Sequence, residues 1–352
     1  MFDLPPELVD DILEFAAPAA STLNEAKPRE DTLSACCLVS RTFRERAQPI
    51  LWRDVVFRQP NGPARFLEVV KEGGVGDLRR TVRSIRWLNK SAPRYDRIEE
   101  VVRLSSGLKE LELVFSSTPV AVEQFGEKTL TALTSLSLWN VSLLPVPASF
   151  PTFPHLTTLE FEGVYVPPET LDKLLTSSTL PSLCALSLGQ FDYGGRAVFP
   201  QLDPAFLAQL KDFQLTFSAG LTPPFPPEIL DSSSPVALII EINDLEDLEE
   251  HVAANPNSVL PPHLFFDSFY APRETICTPY SRLAALLLAS PTPIQSIHLP
   301  VSLLLTPDHN QELEILLVQC EEQEVEVVWR QEEQAFLMGL SESFRRYARA
   351  VK

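Results

Sequence analysis

The chain has 352 residues, 45% of them hydrophobic and 22% charged, which fits a globular protein of two or three domains or one long repeat array. A formal net charge of −18 argues against nucleic acid as a general partner, because phosphate contacts need net positive surface. Five cysteines without CxxC spacing, no charged-then-apolar leader and no apolar run near about eighteen residues predict a cytoplasmic or nuclear protein without a membrane span.

In chain order, Leu4 to Phe57 reads as two amphipathic helices joined by a polar loop. Pro5-Pro6 suits a first helical turn, and Glu7 suits the positive end of its dipole. Leu8, Ile12 and Phe15 recur at i, i+4, i+7, flanked by Val9 and Leu13, an apolar stripe wider than one partner needs. Asp31 is placed to cap the second helix, where Leu33, Cys36, Ser40, Phe43, Ala47 and Ile50 repeat at steps of three and four. Pro49 is then expected to turn the chain out of helix, and Leu51–Phe57 has strand composition.

Three runs in this stretch carry a resemblance: Leu4-Pro5-x-Glu7-Leu8-x-x-x-Ile12-Leu13, Cys37-Leu38-Val39-Ser40-Arg41-x-Phe43 and Ala47-Gln48-Pro49-x-Leu51-Trp52-Arg53. Together they resemble an F-box, in the form common in fungal F-box proteins, with a longer inter-helix segment from Ala16 to Glu30. The resemblance implies that this end grips a Skp-type adaptor of a cullin-based ubiquitin ligase. It assigns Leu4, Pro5, Leu8, Ile12, Leu13, Leu38, Val39, Leu51 and Trp52 to the adaptor contacts and the packing that shapes them.

Beyond residue 57 comes a helical stretch near Pro63–Glu72, then Gly73-Gly74-Val75-Gly76, which reads as a turn rather than a phosphate cradle. Arg79, Arg80, Arg83 and Arg86 read as a solvated basic face. From Val82 a seven-residue pattern with apolar first, fourth and sixth positions recurs, starting again at Leu108, Leu133, Leu156, Leu183 and Leu210. Pro235–Ile240, a poor candidate at Leu264–Phe269, Ile294–Leu299 and Glu324–Trp329 extend the series. Helices are predicted between strands over Arg97–Ser105, Pro168–Ser177, Asp203–Gln209, Leu245–Ala254, Ser281–Ala289 and Gln311–Gln319.

Strand and helix at this period cannot bury a core singly, but stacked units can. The pattern resembles leucine-rich repeats in period and LxxLxL signature. It lacks their asparagine or cysteine three residues after the sixth position, where Ser116, Val141, Val164, Phe191 and Ser218 stand. The expected fold is therefore α/β: a small helical F-box (residues 1–57), an irregular leucine-rich-repeat solenoid (58–330) and a C-terminal capping helix (331–352). Within that last segment Phe336, Leu340, Phe344, Tyr347 and Val351 share one helix face.

No GxxxxGK[ST], GxSxG or HExxH motif occurs, the histidines are dispersed, and Cys36-Cys37 reads as core packing rather than a metal site. The chain is accordingly read as a non-enzyme without cofactor or metal. Function then rests on binding. In an LxxLxLx strand the third, fifth and seventh positions face away from the core. Arg86, Glu110, Glu112, Trp139, Glu160, Glu162, Asp212 and His298 are thus predicted on an exposed sheet face that takes a protein substrate. Acidic residues around a solvent-facing Trp139 would suit a basic, partly apolar segment. The expected role is a substrate receptor of the ligase; the alternative is a free-standing repeat scaffold whose N-terminal helices only cap the array.

Overall fold

The structure, a computed structural model, describes residues 4–17, 23–72, 78–88, 95–144, 151–189, 202–217, 236–241, 263–267, 279–289, 293–300 and 310–330. The predicted helices over Leu245–Ala254 and 331–352 lie outside these residues. The chain divides into two compact units, Met1–Ser137 and Leu138–Lys352.

The first unit opens with three helices: α1 (Pro6–Ala16), α2 (Leu23–Val39) and α3 (Arg41–Arg53). Pro6 occupies the first turn of α1, where its missing N–H costs nothing. The second predicted helix is in fact two. Ser40 interrupts it in extended backbone, and its hydroxyl accepts from the Phe43 N–H at 3.2 Å to cap α3. Asp31 is not a cap but lies inside α2, paired with Lys27 one turn earlier. Pro49 does not end α3 either; the helix runs to Arg53, and the strand β1 starts only at Asp54 (Asp54–Phe57).

Val9, Leu13, Ala17, Leu33 and Ala47 form the buried core of this bundle, with Cys36, Cys37, Phe43, Ile50 and Leu51 packed against it. The sequence continues through α4 (Gly62–Glu72), α5 (Leu78–Thr81), β2 (Ser84–Leu88), α6 (Tyr95–Leu104), β3 (Glu110–Val120) and α7 (Glu127–Ala132). β1 pairs with β2, and β2 with β3, both parallel. Neighbouring aromatic rings join these elements: Trp52 to Phe66 at 6.1 Å, Phe66 to Phe57 at 5.6 Å, and Phe57 to Trp87 at 5.0 Å. β4 (Ser135–Leu143) crosses the division between the units.

In the second unit the order is β5 (Thr158–Glu162), α8 (Pro168–Leu174), β6 (Ala185–Gly189), α9 (Pro204–Gln209), β7 (Asp212–Phe217), β8 (Val236–Glu241) and β9 (His263–Asp267). Then come α10 (Pro279–Ala289), β10 (Ser296–Pro300), α11 (Asn310–Glu322) and β11 (Glu326–Arg330). β5 to β11 pair in chain order, all parallel. A strand thus lies at each predicted repeat start, including the poor candidate at Leu264–Phe269.

The reason is visible in the burial. First, fourth and sixth pattern positions such as Val82, Ile85 and Trp87, or Leu156, Leu159 and Phe161, are at most 1% exposed. Each such side chain stabilises the fold by about 1.5–3 kcal/mol relative to leaving it in water. The second position carries a recurring backbone bond. Lys109 N–H donates to Arg83 O, Thr134 to Lys109, Cys184 to Thr157 and Lys211 to Cys184, at 2.7–3.0 Å. Val141 and Val164, standing where an asparagine ladder was missing from the sequence, are buried apolar packing instead.

Candidate functional site

α1 is apolar on two sides. Val9, Leu13 and Ala17 turn into the bundle core. Leu4, Leu8, Ile12 and Phe15, spaced at four, four and three residues, face solvent, with Phe15 91% exposed. Leu38 and Val39, at the end of α2, are 81% and 67% exposed. Of the residues the resemblance assigns to adaptor binding, Leu4, Pro5, Leu8, Ile12, Leu38 and Val39 are thus at the surface. Leu13 is core, Leu51 is half-buried against that core, and Trp52 rests near Phe66. Glu7, Asp11 and Glu14 are exposed on the same helix, so this apolar stripe is flanked by acid. Asp10 is paired with Arg46 of α3 at 3.2 Å, which fixes α1 against the bundle.

On the sheet of the first unit, Arg86 and Glu112 sit opposite one another across β2 and β3 and form an ion pair at 3.5 Å. Glu110 is exposed beside them. Of the predicted basic face, Arg80 and Arg83 are exposed, and Arg83 donates from Nη1 to Gly107 O at 3.1 Å.

In the second unit the expectation of an exposed face fails at several positions. Trp139 is only 6% exposed, Glu160 4% and His298 1%. Trp139 is therefore core rather than a solvent-facing anchor, and its indole Nε1 is buried without a hydrogen-bond partner among the described residues. Alternation along a strand settles which face a residue takes, but not whether that face is open. Glu162 is half-buried, and its carboxylate lies where a side chain at residue 189 would begin, so Gly189 on the next strand is what lets it lie flat. For Asp212 only the backbone position in β7 is described.

His298 belongs to a cluster the sequence did not announce. His263 on β9 stands opposite Ser296 on β10, and Ser296 stands opposite Glu326 on β11. The Ser296 hydroxyl is 2.8 Å from His263 Nδ1 and 3.0 Å from His298 Nε2. A hydroxyl has one proton, so with both rings neutral it donates to one and accepts from the other. Burial lowers the His263 pKa below its usual value, while Glu326 acts to raise it. Only the i, i+2 spacing of Ser296 and His298 was available in sequence; His263 is brought in by strand pairing.

Among the described residues no group of three metal-ligating side chains is assembled, and no helix is long and apolar enough to cross a membrane. No family model matches the chain, and no curated protein matches it.

Proposed function

We propose that the chain is a substrate-recruiting adaptor: α1 to α3 act as an F-box that docks on a Skp-type partner, and the strand–helix series behind them is a leucine-rich-repeat array that holds a protein substrate. The observation that carries this reading is the second apolar stripe of α1. An 11-residue helix needs one apolar face to join a bundle, and Val9 and Leu13 already supply it. Leu4, Leu8, Ile12 and Phe15 are extra, contiguous in spacing and open to solvent, which is how a helix addresses a partner's groove. The acidic residues beside them suit a groove with a basic rim. No chemistry is required of this chain, since tethering a substrate beside a transfer centre raises its effective concentration. For the substrate, exposed Glu110 favours a basic segment in the first unit.

The scaffold reading is favoured by the ion pairs that join α2 to the start of the sheet, Arg29 to Asp54 and Glu30 to Arg58, because a pure cap would need such an attachment. One experiment separates the two: co-purification of a Skp-type adaptor with the parent chain and with Leu8→Glu/Ile12→Glu. Both positions are exposed, so the variant keeps its core. Loss of the adaptor from a folded variant supports docking; equal recovery, or no recovery with the parent, leaves the scaffold.

A further inference from the structure

We propose that His263, Ser296 and His298 form an acid-operated latch between β9 and β10, closed by one hydroxyl bridge and forced open when both rings carry a proton. This latch is separate from whatever α1 binds. Ser296 and His298 are each 1% exposed. The Ser296 hydroxyl joins rings from two strands, His263 on β9 and His298 on β10, and so lays a side-chain tie over the backbone pairing of His263 with Ser296. Buried as it is, that hydroxyl is not presented to a substrate, and the cluster is built to bridge rather than to attack.

The number of protons sets the behaviour. With both rings neutral, one ring nitrogen donates to the hydroxyl and the other accepts from it. One added proton keeps both bonds: the charged ring donates to the hydroxyl, which donates to the neutral ring. A second proton removes the last acceptor. Two N–H groups then face one oxygen, the hydroxyl proton loses its place, and two cations lie no further apart than the two hydrogen bonds laid end to end. Like charges so close, and away from water, repel, so the pair takes its second proton only at lower pH.

The neighbouring strands help the first proton and not the second. Burial lowers the His263 pKa, and the exposed carboxylate of Glu326, across from Ser296 on β11, acts to raise it. One charge on His263 thus has a counter-charge. The register partners of His298 are Phe265 on β9 and Val328 on β11, and Ala237 of β8 stands opposite His263, so none of these offers one. Glu241, Asp267 and Arg330 hold register positions one row beyond His298, Glu241 opposite Asp267 and Arg330 opposite Pro300. On the other face Leu264, Ile297 and Leu299 are apolar and buried. Opening to water is what relieves a doubly charged pair, and β9 then separates from β10.

The test is hydrogen–deuterium exchange of the full chain at about pH 7.5 and about pH 5.5, on either side of the ordinary histidine value, read as protection relative to the free-peptide rate at each pH. Protection over residues 263–267 and 296–300 should fall about tenfold or more at the lower pH, a factor of about ten for each unit by which closing the latch lowers the pair's second titration. Residues 84–88 and 110–114 should keep theirs. His263→Gln, whose amide can still bond the hydroxyl but takes no proton, should lose about threefold at most over the same strands. Ring-proton NMR of the parent, which needs no variant, should show the two histidines titrating more than about one pH unit apart, the lower step coinciding with the loss of protection. Unchanged protection over 263–267 and 296–300 overturns the proposal, as does a loss shared equally with 84–88 and 110–114. An equal loss in folded His263→Gln, or two rings that titrate together, overturns it as well.

Discussion

Arg29 of α2 and Asp54 at the start of β1 form an ion pair with Nη1 and Oδ2 2.9 Å apart, twenty-five residues apart in sequence. The next residue of α2, Glu30, pairs with Arg58 at 2.8 Å. Two adjacent residues of opposite sign thus reach two points of opposite sign, one at the start of the first strand and one just after it. All four groups are partly shielded, with the Arg29 side chain only 10% exposed, so these pairs are screened less than ordinary surface pairs. They tie the helices carrying the exposed apolar stripe to the first strand of the sheet.

A double-mutant cycle on Arg29→Ala and Asp54→Ala should therefore return a coupling of about 1 kcal/mol or more, above the range of freely exposed pairs. Chemical denaturation of the parent, the two single variants and the double variant measures it. Additive effects would mean that the pair contributes nothing to folding.

Trp139→Ala should destabilise the protein by about 3–5 kcal/mol, as expected for emptying a buried aromatic site. Trp139→Phe should cost much less, because it keeps a ring there and removes an indole N–H that has no partner among the described residues. Melting temperatures of the two variants check this, and a harmless Trp139→Ala would place the side chain at the surface.

His263 predicts a pH dependence with a definite sign. Its folded pKa is lowered, chiefly by burial, so the unfolded chain takes up that proton first on acidification. Stability from this residue is present above the ordinary histidine pKa near about 6.5 and is lost as pH falls below it. Comparing unfolding at about pH 7.5 and about pH 5.5, inside that window, the parent should lose more stability than His263→Gln. Parallel losses in the two proteins would remove the histidine from the account.

α11 ends in a left-handed turn closed by Val325 N–H to Cys320 O at 2.8 Å and Glu324 N–H to Glu321 O at 3.3 Å. The residue in the left-handed conformation is Glu324, with φ of 58°, where glycine is preferred. Glu324→Gly should stabilise the fold by about 1 kcal/mol. A melting temperature that falls instead would show that the Glu324 side chain contributes more than its backbone strain costs.

Thiol reactivity should divide the cysteines. Cys320 is 2% exposed, and burial raises its pKa to about 11, so little thiolate forms near neutral pH. Half-buried Cys36 should be alkylated well before Cys320 in the native protein. Mass spectrometry of a time course with iodoacetamide reads the order directly.

The strands were legible in the sequence because an apolar side chain at the first, fourth and sixth positions is a local condition: each LxxLxL run carries its own core face, whatever lies beside it. The N-terminal apolar surplus was legible for the same reason, as Leu8, Ile12, Phe15, Val9 and Leu13 cannot share one face of an 11-residue helix. Which stripe is free was decided by the bundle, where Val9 and Leu13 meet Leu33 and Ala47 from other helices. The break at Ser40 is not legible in the sequence because its capping bond competes with a helical period that runs through it uninterrupted. Depth on the sheet face was beyond the sequence altogether. Whether Glu162 can lie flat depends on Gly189, and whether His263 meets Ser296 depends on a strand thirty-three residues away, so these properties arise only when parallel pairing sets distant residues side by side.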